Sequence, residues 1–317
     1  MDNLTHTLTG LMLSRAGLSR YHARSSLLLM LAANVPDIDV ITAPAGALTY
    51  FRNHRGITHA IAMSPAMAML PVLFVCAVSR SWKGWRSALV LSWIGVASHL
   101  LLDLTNAYGI RLLLPFSEAW FRLDLNNLFD FWIWGALLIA TLGPMLGRLV
   151  SSEIGAKPGT GRGLAICALC FFAAYDFGRY LTHQRALETL NSRVYQGQAP
   201  VQSGAFPIGF SNPFLWSGWV KCSNFSMHWT MNLLGDFDPM GGAIFYDPEP
   251  SPAIEAARRT PPFEAFLKFA AFPLWRITPV PEPEESRQVE VTDWRFPFTA
   301  AAIVDRENRV QRSWFHY

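Results

Sequence analysis

The chain has 317 residues, 51% of them apolar and only 15% charged, with a mean hydropathy of +0.21. A soluble domain carries about 25% charge, so this balance excludes a disordered chain and argues against a plain cytosolic globule. The net charge of +3 leaves no electrostatic footprint for nucleic acid, and four cysteines at 76, 167, 170 and 222 do not form a disulfide scaffold.

Residues 4–16 and 25–34 are apolar but short. At helical rise they reach roughly 20 Å and 15 Å, less than a bilayer core of about 30 Å. Arg15, Arg20 and Arg24 lie between them. A cleaved signal carries its charge first and its cleavage site last, so this pattern predicts a short helical hairpin dipping into the membrane. Residues 57–78 follow, 22 positions without Lys, Arg, Asp or Glu. Residues 87–102, 128–147 and 163–175 complete a set of four apolar segments. Each alone would also suit a buried helix of a soluble protein; together they predict a multi-span bundle.

Charge and proline shift near residue 183. Residues 1–183 hold 14 basic and 9 acidic side chains with 7 prolines, and residues 184–317 hold 12 and 14 with 14 prolines. Two domains are expected: a membrane-embedded helical domain over 1–183 and a Pro/Trp-rich soluble domain over 184–317. The second has six tryptophans, at 216, 219, 229, 275, 294 and 314. Short helices are expected at 253–259 and 262–271. Alternation over 287–296 and a hairpin of 300–304 with 309–315 give the end a strand character. The fold class is therefore mainly α, a multi-span membrane bundle with an N-terminal short hairpin, plus a small α+β or β-rich soluble domain.

Basic residues sort the turns. Arg15, Arg20 and Arg24 mark the first, Arg80, Lys83 and Arg86 the second, and Arg148, Lys157 and Arg162 the third. The positive-inside rule puts these turns in the cytoplasm. The opposite ends, and the domain after residue 183, are then extracytoplasmic.

Ionisable residues at membrane helices are costly and point to function. His6 opens the first short helix, and Asp37 and Asp39 close the second. His54 and His59 precede or open the first long segment, and His99 and Asp103 close the next. Antiparallel connectivity brings all seven to one membrane face, and the i,i+4 spacing puts His99 and Asp103 on one helix face. Imidazoles and carboxylates in such a place suit one or two divalent ions, with zinc the best match to a mixed nitrogen and oxygen set. Singly, His6 also reads as an interfacial residue and Asp37 and Asp39 as turn residues. The spacing matches neither HExxH nor a zinc finger. Arg55 lies between the two histidines; Asn106, Tyr108 and Arg111 follow Asp103. These are candidates to hold an anionic substrate, Arg111 equally a lipid-headgroup anchor. Asp124 and Asp130 flank the third segment as helix-start charges or outer contacts of the site. Cys167 and Cys170 formally read CxxC inside an apolar helix and are not taken as a redox pair. His183, His228 and His316 stand alone and read as structural.

The stretches Leu4-Thr5-His6 with Gly10, Pro36-Asp37-Ile38-Asp39, His54-Arg55-Gly56-Ile57-Thr58-His59, and His99 through Asp103 to Asn106, Tyr108 and Gly109 permit a comparison. The chain resembles the bacterial membrane-bound metal-dependent hydrolases, the YdjM-like inner-membrane proteins, over residues 1–180. Asn212-Pro213-Phe214-Leu215-Trp216 and the strand-like end are similar to longer members. The resemblance implies a divalent metal, hydrolysis and a bacterial inner-membrane location. The residues fit a hydrolase in which His6, His59, His99 and Asp103 bind metal, with His54 a further candidate. Asp37 or Asp39 would ligate or act as base, and Arg55 would steady an anion. The expected substrate is a phosphoester, lipid-like, met at the outer interface of the bilayer. A proton or cation transporter and a metal-stabilised scaffold are the alternatives.

Overall fold

A computed structural model describes residues 1–153, 159–280 and 286–317. Contacts divide the chain into two compact units. The first comprises Met1–Ile38, Arg55–Thr182 and Pro207–Pro213, and the second Asp39–His54, His183–Phe206 and Phe214–Tyr317.

In the first unit, α1 (Asn3–Ala16) begins where the Asp2 carboxylate accepts the Leu4 and Thr5 amides at 3.0 Å. That satisfies two of the donors every helix start leaves open. α2 (Ser25–Ala32) follows. Ser14 Oγ lies 2.9 Å from the hydroxyls of both Ser25 and Ser26 and ties the two helices. A run of 3-10 turns, Val35–Ala45, leads to α3 (Ala47–Asn53), which belongs to the second unit. Back in the first unit lie α4 (Ser64–Ser79), α5 (Trp85–Thr105), α6 (Phe131–Glu153) and α7 (Arg162–Asn191), the last continuing past Thr182 into the second unit.

Among the described residues four helical segments are long and apolar enough to cross a bilayer, Ile61–Ser79, Trp85–Thr105, Phe131–Ser151 and Arg162–Asn191, and the pair Ser25–Ala32 and Val35–Ala45, bent by 44°, makes a fifth if it is counted as one broken span. The four correspond to the four apolar segments of the sequence. Of these α5 is the most buried and α6 the least. Ile139, Leu142, Leu146 and Leu149 give α6 an exposed apolar face, which lipid solvates and water does not. One start differs from expectation. The helix read from residue 57 begins at Ser64, because Ala60 is extended and Pro65 sits in the first turn, where its missing N–H costs nothing. Residues 57–59 form a separate 3-10 turn. Of the third basic turn, Arg148 and Arg162 are described, and Lys157 lies outside the described residues.

α2 is gripped by two glycines. A Cβ on Gly10 of α1 would lie 2.6 Å from the Leu29 carbonyl oxygen, and one on Gly95 of α5 would lie 2.6 Å from Ala32 Cβ. Their absence lets both helices approach the backbone of α2, the small-residue contact membrane helices favour. Ser92 Oγ donates to the Ala68 carbonyl at 2.6 Å and joins α5 to α4.

The second unit is built on two four-stranded sheets. One has the order β1 (Gln202–Pro207), β2 (Leu215–Lys221), β3 (Phe225–Asn232), β4 (Ala243–Tyr246), with β2–β3 and β3–β4 antiparallel. Trp216, Val220, Met227 and Met231 bury against Ala186 and Leu190 of α7. The other sheet is an antiparallel meander, β5 (Pro273–Val280), β6 (Ser286–Asp293), β7 (Phe296–Val304), β8 (Val310–His316). Alternation places Val289, Val291, Ala300 and Ala302 on its buried face. The expected hairpin is β7–β8 and the expected helices are α8 (Pro252–Arg258) and α9 (Pro261–Phe269). Phe51 of α3 is buried among Phe266, Phe269, Phe298 and Phe315, with ring centres 4.5–6.3 Å away. This aromatic packing draws the segment Asp39–His54 into the second unit.

Candidate metal centre

α5 supplies the centre of the cluster. His99 and Asp103 lie one turn apart on its buried side, both fully inaccessible to solvent. His99 Nδ1 is 2.7 Å from the Ala33 carbonyl at the end of α2, and a carbonyl only accepts. Nδ1 therefore carries the proton, and a neutral His99 presents its Nε2 lone pair to the cluster. The 3-10 turn Ile57–His59 brings His59 Nε2 to 3.1 Å from His99 Nε2. Asp37, in the turns after α2, places Oδ1 at 3.5 Å from His59 Nε2 and 3.6 Å from His99 Nε2. Asp103 Oδ2 is 3.4 Å from each imidazole.

These four residues each offer one ligand atom, all mutually within 4.8 Å. Metal–ligand bonds of about 2.0–2.1 Å set tetrahedral edges of about 3.3–3.4 Å. Five of the six edges here are 3.1, 3.4, 3.4, 3.5 and 3.6 Å, so the donors surround a space of the right size for one small ion. Asp103 Oδ2 is buried with no hydrogen-bond partner among the described residues. An anionic oxygen in that condition is costly without a cation. The residues present therefore fit a divalent metal.

Around this core the other expected residues take distinct places. His6 is buried and stacks on His99, ring centres 3.9 Å apart, and its Nε2 is 3.3 Å from Asp103 Oδ1. Burial first, and the facing His99 second, push its imidazole down to about 3, which keeps it neutral. Both stacked rings sit one turn from a glycine of the α2 grip, His6 before Gly10 and His99 after Gly95. The helix contact and the ring contact thus lie one turn apart on both helices. Arg55 is buried, donates from Nη2 to Asp103 Oδ1 at 3.0 Å, and lies 4.9 Å from the Tyr108 ring centre. The Met1 amino group also contacts Asp103 Oδ1. Arg55 has φ +51, a left-handed conformation unfavourable for a side-chain-bearing residue, which the surrounding contacts must sustain. One such contact is the Arg111 amide donating to the Arg55 carbonyl at 3.2 Å.

Asn106 holds its own loop: Oδ1 accepts the Tyr108 amide at 2.8 Å and Nδ2 donates to the Asn126 carbonyl at 3.3 Å. Arg111 packs its guanidinium 4.9 Å from the Trp120 ring. Asp124 pairs with Arg122, and Asp130 accepts the Trp132 amide at 2.9 Å as the cap of α6. Asp39 and His54 join each other instead, Oδ1 to Nδ1 at 3.2 Å in the second unit, where His54 stacks on Tyr50. Sequence reasoning missed Gly95 and the Ala33 carbonyl. A glycine four residues before a buried helical histidine is a readable signal; a backbone acceptor is not.

A family model described as YdjM inner membrane protein matches residues 1–186. The protein YfhP of Bacillus subtilis (strain 168), described as uncharacterized, is 31% identical over 140 residues, 41% of this chain and 42% of that one. The chain thus matches less than half the length of this curated relative. No solved structure matches. The buried His/Asp cluster lies within the matched residues, and the chain belongs to the YdjM inner membrane protein family.

Proposed function

We propose that this protein is a metal-dependent hydrolase embedded in the bacterial inner membrane, with Asp37, His59, His99 and Asp103 as metal ligands. The observation that carries the reading is the ligand spacing of 3.1–3.6 Å around an orphaned carboxylate oxygen. Zinc is the ion of choice for two imidazoles with two carboxylates. A divalent ion held there would supply Lewis acidity and a water acidic enough to ionise near neutral pH.

The protein side of the mechanism follows from exposure and charge. Asp37 is the least buried of the four, with 17% of its side chain exposed, so it is the ligand that an entering water meets first. Arg55 fixes Asp103 and adds positive charge where an anion would develop. His6 backs His99 as a neutral stacked ring and is the candidate for a further ligand. Asp39 and His54 form an imidazole–carboxylate pair of their own in the second unit. Arg111 and Tyr108 would meet the substrate, for which a phosphoester with a lipid-like body suits a membrane site flanked by arginine. The basic turns support a topology in which the cluster and the domain after residue 183 face outward. Confinement of the ligands to the last two turns of α5 and to the turns after α2 and at Ile57–His59 favours hydrolysis over a transport path, which would line the depth of the membrane.

The test is metal analysis of the mildly purified protein beside His99→Ala and Asp103→Ala, with phosphodiester, phosphomonoester and carboxylic ester substrates. Bound divalent metal and ester cleavage, both lost in the variants, are expected. Wild-type protein without divalent metal would overturn the reading. Metal without hydrolysis would leave the scaffold role in its place.

A further inference from the structure

The second unit carries a cleft unrelated to the metal cluster, of about 460 Å³, bounded by the open face of β5–β6–β7 and the edge strand β4. That volume is in the range of small-ligand sites. Its floor is read from the strand register. Arg276 lies opposite Glu290, Leu274 opposite Thr292, and Thr292 opposite Thr299. The sheet thus offers rows of guanidinium beside carboxylate and hydroxyl beside hydroxyl, all on one face.

Its walls are aromatic. Trp294, about half exposed, and Tyr246, more than half exposed, stand at the rim. Trp294 is not a loose surface ring. It stacks on His228 at 5.5 Å and 12°, and His228 stacks on the buried Trp219 at 4.5 Å and 24°. The stack is anchored below: Trp219 Nε1 donates to Ser217 Oγ at 3.0 Å, and Ser217 Oγ is 2.9 Å from His228 Nε2. An indole packed this way lines the cleft already ordered, which lowers the entropic cost of binding on it.

A rigid aromatic plane beside paired charged and hydroxyl groups matches one kind of ligand. A pyranose ring has a C–H face that packs on an indole and a rim of hydroxyls that need donors and acceptors. We infer that the cleft over β5–β7 binds an oligosaccharide, with Trp294 as the stacking platform and Arg276, Glu290 and Thr292 as the hydroxyl-recognising floor. Tyr246 closes the opposite side. The charged floor disfavours a proline-rich peptide, which docks on aromatic grooves mainly through apolar contacts.

The experiment is isothermal titration of the full-length protein in detergent with chitotetraose, maltotetraose and a mannan-derived tetrasaccharide, with a proline-rich decapeptide alongside. At least one saccharide should bind saturably. Trp294→Ala should weaken it at least tenfold, Trp294→Phe much less, and Glu290→Gln should weaken it without altering the circular dichroism spectrum. Saccharide binding that survives both Trp294→Ala and Glu290→Gln would overturn the assignment, as would no saccharide binding. Binding of the peptide alone would reassign the cleft to polypeptide.

Discussion

Gly10→Ala tests the link between helix packing and the cluster. The added methyl would sit 2.6 Å from the Leu29 carbonyl oxygen, where a relaxed C···O contact is about 3.3 Å. α1 must therefore retreat from α2 by about 0.7 Å, and overpacking of this kind costs about 1–3 kcal/mol. Two effects oppose each other, because alanine also raises helix propensity by about 1 kcal/mol. Gly135 of α6 separates them, since a Cβ there meets nothing within 4 Å. Gly135→Ala should be neutral or stabilising by up to about 1 kcal/mol. The difference between the two variants then isolates the contact, about 1–3 kcal/mol. Unfolding in mixed micelles, followed by circular dichroism, measures both. Retreat of α1 should also displace His6 from His99, so Gly10→Ala should lower metal content at equal folded fraction. Equal stability changes in the two variants would refute the close-approach argument.

Further outcomes follow from the same geometry. Arg55→Lys keeps the charge but loses the planar fork that reaches Asp103, and should weaken metal affinity by about 10–100-fold, read by competition with a chromogenic chelator. Stripping the protein with chelator and restoring zinc at 100 times its dissociation constant should recover about 2.7 kcal/mol of stability, read as a rise in the unfolding midpoint. His6→Phe keeps a ring against His99 and should preserve folding; a loss of metal in this variant alone would make His6 a ligand. Reporter fusions after Gln184 should read as extracytoplasmic and fusions within residues 80–86 as cytoplasmic; the reverse pattern would invert the topology.

The long apolar segments and the His99–Asp103 spacing were legible because hydropathy and a four-residue period are local properties. Asp37 and His59 were legible as candidates because a charged group beside an apolar helix is rare. The pairing of Asp39 with His54 in the second unit was not. It depends on Phe51, whose burial among the phenylalanines of α9 and the second sheet brings residues more than 200 positions apart together. The sheet β1–β4 also escaped the sequence. β2 is buried along nearly its whole length, so Leu215-Trp216-Ser217-Gly218-Trp219-Val220 lacks the alternation that marks a half-exposed strand. In β6, buried and part-buried residues alternate, and the expected strand was found.

The two imidazoles of the cluster are 40 residues apart in sequence. Closing a loop of that length costs about 4 kcal/mol of chain entropy, and the α4–α5 hairpin must meet that cost before any ion can be gripped. Metal uptake would then come after insertion and packing of both hairpins, so an unfinished chain would have no ion to hold. The ion-binding geometry would then exist only in a molecule whose helices have already packed.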